Sequence, residues 1–307
     1  VIARFGRAML RSGGLAILVA GLIGAGAPAQ GEEVRTRYRG LTINANLEIA
    51  AGKGLEDGII VIAHGMLAHH RMELIAALQK LLKDRGLSTL AITFSLGVDD
   101  RRGFFDCGRL HTHRWRDALD EIDAWIGWLK TQGATGIALL GHSQGGAQVA
   151  AYAAERNDPA VDAIVLLAPA TFEPARIAAG YRQRFSAELA PVLSEAQTLL
   201  GSGHGETWLD RIGFLSCESA TATASSVVGW YAPSPLRHTP DLLPRIHQRT
   251  LVIAAGADTV VPDLIGEVRP SDGRGMVTVR VVDGADHFFL DLYAEEAADI
   301  IADWLQR

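Results

Sequence analysis

Ser143 lies in Gly141-His142-Ser143-Gln144-Gly145-Gly146, directly after the apolar run Ile137-Ala138-Leu139-Leu140. The spacing is G-x-S-x-G, with a strand-like segment before it and a helix-like segment after it. A serine in that setting sits on a sharp turn, its hydroxyl exposed above the end of a sheet. Gly141 and Gly145 flank the turn, where a Cβ would crowd the neighbouring strand and helix. A serine hydroxyl is a poor nucleophile unless a base takes its proton, and the base needs a carboxylate to orient it. Two later residues stand where such partners are needed. Asp258 follows the apolar run at 250–255, and His287 follows the run at 277–282. The chemistry open to such a set is acyl transfer. Asp258 could instead cap a helix starting near Pro262. Asp263, Asp283 and Asp286 are weaker candidates, since none falls in the first turn after the run at 250–255.

The elements that must position these residues are legible as rhythm. Residues 34–38 and 41–49 alternate apolar and polar side chains, as half-buried antiparallel strands do. Continuous apolar runs follow at 59–63, 89–94, 137–140, 163–167, 250–255 and 277–282. Between or after them, residues 72–85, 115–130, 144–156 and 291–306 have helical spacing. This predicts an α/β fold: a mostly parallel sheet of about eight strands with helices on both faces, and sites at the carboxyl ends of the strands. Residues 171–247 break the alternation and are far longer than an ordinary connection. They are expected to form a helical cap inserted over the strand ends, which leaves 30–170 and 248–307 as the core.

Residues 1–29 have the layout of a secretory signal peptide. Arg4, Arg7 and Arg11 precede an apolar stretch at 15–25, and Ala27-Pro28-Ala29 offers a cleavage site. The expected location is therefore the periplasm or the exterior. The apolar stretch is short for a spanning helix, and no other stretch is long enough. Those 29 residues carry three arginines and no acid, so their removal takes the net charge from −6 to −9. An acidic protein of this kind is poorly suited to nucleic acid, whose phosphates it would repel.

Four motifs in order, each ending an expected strand, make the chain resemble the α/β-hydrolase superfamily: His64-Gly65-Met66, Gly141 to Gly145, Gly256-Ala257-Asp258 and Gly284-Ala285-Asp286-His287. The resemblance covers nearly all of 34–307. It implies Ser143 as nucleophile, His287 as general base and acid, and Asp258 as the orienting carboxylate. It implies an oxyanion hole from the backbone N–H groups of Met66 and Gln144. It implies no cofactor and no metal, with a small-molecule ester or related acyl compound as substrate. Amide, peptide or thioester cleavage uses the same fold and residues, and a non-catalytic binding protein is the remaining alternative.

The other candidates concern substrate shape. The loop at 95–113 leaves the strand at 89–94 and so lies at the rim of the same face. Its Asp99, Asp106, Cys107, His111 and His113 could be read as metal ligands, but their spacing matches no recognised zinc pattern. Shaping of the substrate site, or hydrogen bonding to the cap, is the expected role for Asp99, His111 and His113. His64 is expected to order the oxyanion loop, His142 to pack within the elbow, and His69, His70, His204, His238 and His247 to lie at the surface or in the cap. Some cap aromatics should fill its own core and others, Trp230 among them, should line an apolar pocket. Cys107 in the loop and Cys217 in the cap would both sit above the strand ends. They are expected to form a disulfide pinning cap to core, with two unpaired thiols as the alternative.

Overall fold

The computed structural model describes residues 31–307; the signal-peptide reading of 1–29 falls outside the described residues. The chain opens with an antiparallel pair, β1 (Glu32–Tyr38) and β2 (Leu41–Glu48). It continues as β3 (Ile59–Ala63), α1 (Glu73–Asp84), β4 (Thr89–Thr93), α2 (Asp117–Thr131), β5 (Ile137–His142), α3 (Gln144–Arg156) and β6 (Val161–Leu167). An insertion then holds α4 (Pro174–Phe185), α5 (Leu189–Gly201), β7 (Trp208–Phe214), β8 (Cys217–Thr223), α6 (Ala224–Tyr231) and α7 (Thr239–Leu242). The core resumes with β9 (Arg249–Ala255), α8 (Leu264–Val268), β10 (Val277–Val282) and α9 (Leu292–Leu305).

Eight strands form one sheet in the order β1-β2-β4-β3-β5-β6-β9-β10, and β4 to β10 of that sheet run parallel. The continuous apolar runs have a direct cause: both faces of the sheet are covered. Ile60, Ile62, Ala138 and Leu140 face Leu74, Ile75, Leu78 and Leu82 of α1 and Ala297, Ala298 and Ile301 of α9. Ile59, Val61 and Leu139 face the stripe Leu119, Ile122, Trp125 and Leu129 of α2, with Ala147 and Ala150 of α3. Because the strands are parallel, the segments leaving β3, β4, β5, β6, β9 and β10 all emerge on one side.

The insertion is helical, as expected, but it also carries a β-hairpin. β7 and β8 pair antiparallel with register shifts near Leu209, Ile212 and Phe214. Those irregularities interrupt the period-2 alternation by which strands are recognised in sequence. The loop after β4 adds a short bridge to this hairpin. His111 N–H donates to Thr221 O at 2.9 Å, and Thr223 N–H donates back to His111 O at 3.0 Å. Cys107 and Cys217 form a disulfide at the same place. Among the described residues, no helix is long and apolar enough to cross a membrane.

Candidate active site

Ser143 sits between β5 and α3 with φ 54° and ψ −120°, in the left-handed half of backbone space where an L-residue is strained. The surrounding glycines make that turn possible. A Cβ on Gly145 would collide with the carbonyl oxygens of His64 and Ala63, and one on Gly141 with the backbone of Gly145 and Gly146. The turn is therefore wedged directly against the end of β3. It leaves the Ser143 hydroxyl pointing to the histidine that follows β10.

His287 Nε2 lies 2.8 Å from Ser143 Oγ, and His287 Nδ1 lies 2.8 Å from Asp258 Oδ2. Asp258 uses its two oxygens separately. Oδ1 accepts the N–H groups of Val260 and Val261 at 2.7 and 2.8 Å, while Oδ2 faces the imidazole. The helix-cap reading of Asp258 does not hold: α8 starts at Leu264 with Asp263 as its N-cap, and the N–H groups that Asp258 accepts belong to the turn before that helix. Burial works against its charge, but the hydrogen bonds from His287, Val261 and Val260 outweigh it and hold the carboxyl below its ordinary value. His142 Nε2–H donates to the backbone carbonyl of His287 at 2.9 Å.

The segment after β3 closes the other side of Ser143. A Cβ built on Gly65 would lie 3.5 Å from Ser143 Cβ, in ordinary contact. The next residue, Met66, lines the same cavity as Ser143 and Gln144. Gln144 opens α3, so its N–H has no carbonyl one turn back to bond. The Met66 N–H also has no acceptor among the described residues. Two residues that line the cavity with Ser143 thus have backbone N–H groups without an acceptor among the described residues.

The cavity holds about 310 Å³ and is walled by the insertion: Ile177, Tyr181 and Phe185 from α4, Leu215 from the hairpin turn, and Trp230 and Tyr231 from α6. A larger cleft of about 650 Å³ opens at the opposite end of the sheet, around Ile59, Ile137 and Ala163. It lies away from every strand's carboxyl end and holds no base aimed at a nucleophile, so its size does not make it the site.

Residues 60–304 match the family model described as the alpha/beta hydrolase family. The chain belongs to that family. The sheet order and the serine turn agree with the assignment. Comparison with curated proteins found no match. Among solved structures, Est1E from Butyrivibrio proteoclasticus with ferulic acid bound has 20% identity and a TM-score of 0.64, covering 89% of this chain and 98% of that one. The monoacylglycerol lipase of Paleococcus ferrophilus has 18% identity and a TM-score of 0.58, covering 86% and 98%. The esterase Pf2001 of Pyrococcus furiosus has 15% identity and a TM-score of 0.58, covering 91% and 90%. At these identities the likeness is one of fold.

Within this alpha/beta hydrolase, the residues expected to shape the substrate site separate. Trp230 lines the cavity. His64, Asp99, His111 and His113 do not. His64 is buried: its Nδ1–H donates to Gly65 O at 2.7 Å, and its Nε2 accepts the Phe94 N–H at 3.1 Å. Burial, with the Arg101 charge, holds it well below its ordinary pKa, so it is a neutral strut of the Met66 loop. Asp99 lies on the outside of the molecule, where it accepts the Thr42 N–H of β2 at 2.6 Å. His111 and His113 are buried under the hairpin among Phe105, Phe214 and Trp230. Burial pushes His111 down to about 4, and His113 well below its ordinary value. His113 acts at one remove, since its Nδ1 accepts the Trp230 Nε1–H at 3.1 Å. His70, expected at the surface or in the cap, is buried with Nδ1 2.6 Å from Thr93 Oγ1. Among the described residues, no group of three His, Cys, Asp or Glu side chains is placed to hold a metal ion.

Sequence reasoning missed the arginines of the cavity, Arg176, Arg184 and Arg237. An arginine in an insertion is ordinarily solvated, and nothing local marks one that turns inward. It also missed the bond by which His142 holds His287.

Proposed function

We propose that this alpha/beta hydrolase is an exported serine esterase that works through an acyl-enzyme. The observation that carries the proposal is the hydrogen-bonded series Ser143–His287–Asp258 at the mouth of a cavity. Ser143 Oγ attacks the ester carbonyl while His287 Nε2 takes the hydroxyl proton. Asp258 fixes the tautomer through Nδ1–H and stabilises the imidazolium. The N–H groups of Met66 and Gln144 hold the oxyanion; one such donor is typically worth ~3–4 kcal/mol in the transition state. His287 then protonates the leaving alcohol. A water, deprotonated by His287, attacks the acyl-enzyme, and Ser143 regains its proton as the acid departs.

Ester cleavage is favoured by two of the structural neighbours, Est1E with ferulic acid bound and a monoacylglycerol lipase. Residues 171–247 serve as the cap that shapes the acyl site. The signal-peptide pattern and the Cys107–Cys217 disulfide together support export, because such bonds persist in oxidising compartments.

A fluorophosphonate probe tests the reading. The folded mature protein, starting at Gln30, should label at Ser143, and Ser143→Ala should not. Absence of labelling in folded wild-type protein would overturn it.

A further inference from the structure

The cavity beside Ser143 has an unexpected charge. Arg176, Arg184 and Arg237 line it, and no Asp or Glu does, although the chain as a whole is acidic. Arg176 is answered by Asp263 at 3.0 Å. Arg184 has no hydrogen bond or ion pair among the described residues, and it stands exposed at the rim.

Arg237 is the decisive residue. It is 7% exposed, and its guanidinium lies 4.0 Å above the Phe172 ring and 5.6 Å from that of Trp115. Nη1 donates to the carbonyl of Trp230, but Nε is buried with no acceptor. Nη2 makes no hydrogen bond among the described residues and is not fully buried, and the side chain lines the cavity. Thr171, next to Phe172, lines the same cavity, and its hydroxyl is also buried without a partner.

The protein contains its own control. Arg101 is equally buried, but it has a structural role and ends on acceptors: Phe94 O at 2.7 Å, Gly103 O at 2.6 Å and Ala68 O at 2.6 Å, with the Glu121 carboxyl nearby. A buried guanidinium with one carbonyl and no counter-ion is costly to keep unless something completes it. The one donor left open, Nη2, is suited to a charge-assisted hydrogen bond with a carboxylate.

We propose that the cavity selects esters whose acyl or alcohol part carries a carboxylate, bound by Arg237 Nη2 within and by Arg184 at the rim. The proposal rests on the esterase reading and names the substrate class of that site. Such a substrate gives Arg237 Nη2 an acceptor and the guanidinium a counter-charge as it enters, so part of its binding energy comes from answering a charge the side chain otherwise carries alone.

The test compares matched chromogenic esters on the mature protein. One arm sets 4-nitrophenyl hemisuccinate and hemiglutarate against the neutral butyrate and pentanoate. The other sets 4-acetoxybenzoate against 4-acetoxybenzamide. The expected result is a preference of about tenfold or more in kcat/KM for the anionic ester in at least one arm, the size of one charge-assisted hydrogen bond. The arm that shows it tells whether the carboxylate lies on the acyl or the alcohol side. Arg237→Gln and Arg184→Gln should each collapse the anionic-to-neutral ratio. Arg182→Gln makes the same charge change on α4, outside the cavity, and should not. Exposed Arg184 carries the test alone if Arg237→Gln does not fold. Equal rates in both arms, or ratios unmoved by the cavity variants, would overturn the proposal. If no ester turns over and Ser143 does not label, the esterase reading has failed instead. Thermal shift with glutarate and benzoate then decides for the anion site. A rise in Tm lost in Arg184→Gln supports it, and no rise overturns it.

Discussion

His142 Nε2 donates to the backbone carbonyl of His287 at 2.9 Å, and the two rings lie 5.1 Å apart. The residue before the proposed nucleophile therefore holds the main chain of the proposed base. The bond ties the end of β5 to the segment after β10, two strands that are not neighbours in the sheet. It fixes where the imidazole starts from as it reaches for Ser143. Burial pushes His142 down to about 4, so it stays neutral, a hydrogen-bond donor rather than a second titrating base.

His142→Leu is expected to lower kcat about 10- to 100-fold through a displaced imidazole, with little change in KM. The shape of the kcat–pH profile should be unchanged. His142→Gln, which restores an amide donor, should recover part of the loss. A variant that raised KM at constant kcat would show that the contact does not position the base.

The two oxygens of Asp258 separate catalysis from folding. Asp258→Asn keeps an acceptor for Val260 and Val261 but presents an amide N–H to His287 Nδ1, which favours the wrong tautomer. Its kcat should fall about 10⁴-fold with Tm nearly unchanged. Asp258→Ala should lose the activity and also about 1 kcal/mol of stability, or about 2–4 °C, because the turn acceptor is gone. Equal Tm values for the two variants would contradict this division.

Glu121 is buried, with its carboxyl accepting Ser95 N–H at 2.7 Å and Ser95 Oγ–H at 2.6 Å. Burial pushes its pKa up to about 7, against the pull of Ser95 and Arg101. The raised value belongs to the folded state. Between roughly pH 4.5 and 7 the folded protein keeps a proton that the unfolded chain has released, so stability declines as pH rises through that window. A shift of that size corresponds to about 3 kcal/mol across the window. Glu121→Gln removes the titration, and its Tm should change less between pH 5 and 8 than that of wild type. Parallel Tm–pH curves would mean that this carboxyl does not titrate there.

The Cys107–Cys217 bond closes a loop of 110 residues. The double Cys→Ser variant is expected to lose about 2–4 kcal/mol, somewhat below the chain-entropy value for so long a loop. Thiol titration of denatured, unreduced protein should find no free thiol. Two free thiols would show the bond is absent.

What was legible in the sequence is what local physics controls. Buried parallel strands must be continuously apolar, amphipathic helices must repeat every three to four residues, and a serine turn wedged against β3 must be flanked by glycine. Those rules set out the sheet and placed Ser143, Asp258 and His287 at strand ends before any coordinates. The hairpin of β7 and β8 escaped because its bulges break the alternation that marks a strand. Asp99, His111 and His113 were placed near the rim, but Asp99 turns outward to the N–H of Thr42 on β2, and His111 and His113 turn inward under the hairpin that covers them. Only the tertiary structure decided that His111 and His113 are neutral and buried, that His142 braces His287, and that Arg237 lines the cavity with its Nε unpaired. A cavity wall is assembled from segments around 66, 143, 171–185, 215–237 and 260, far apart in the chain. Whether an arginine there meets water, an acid or a substrate is settled by packing, which carries no local signature.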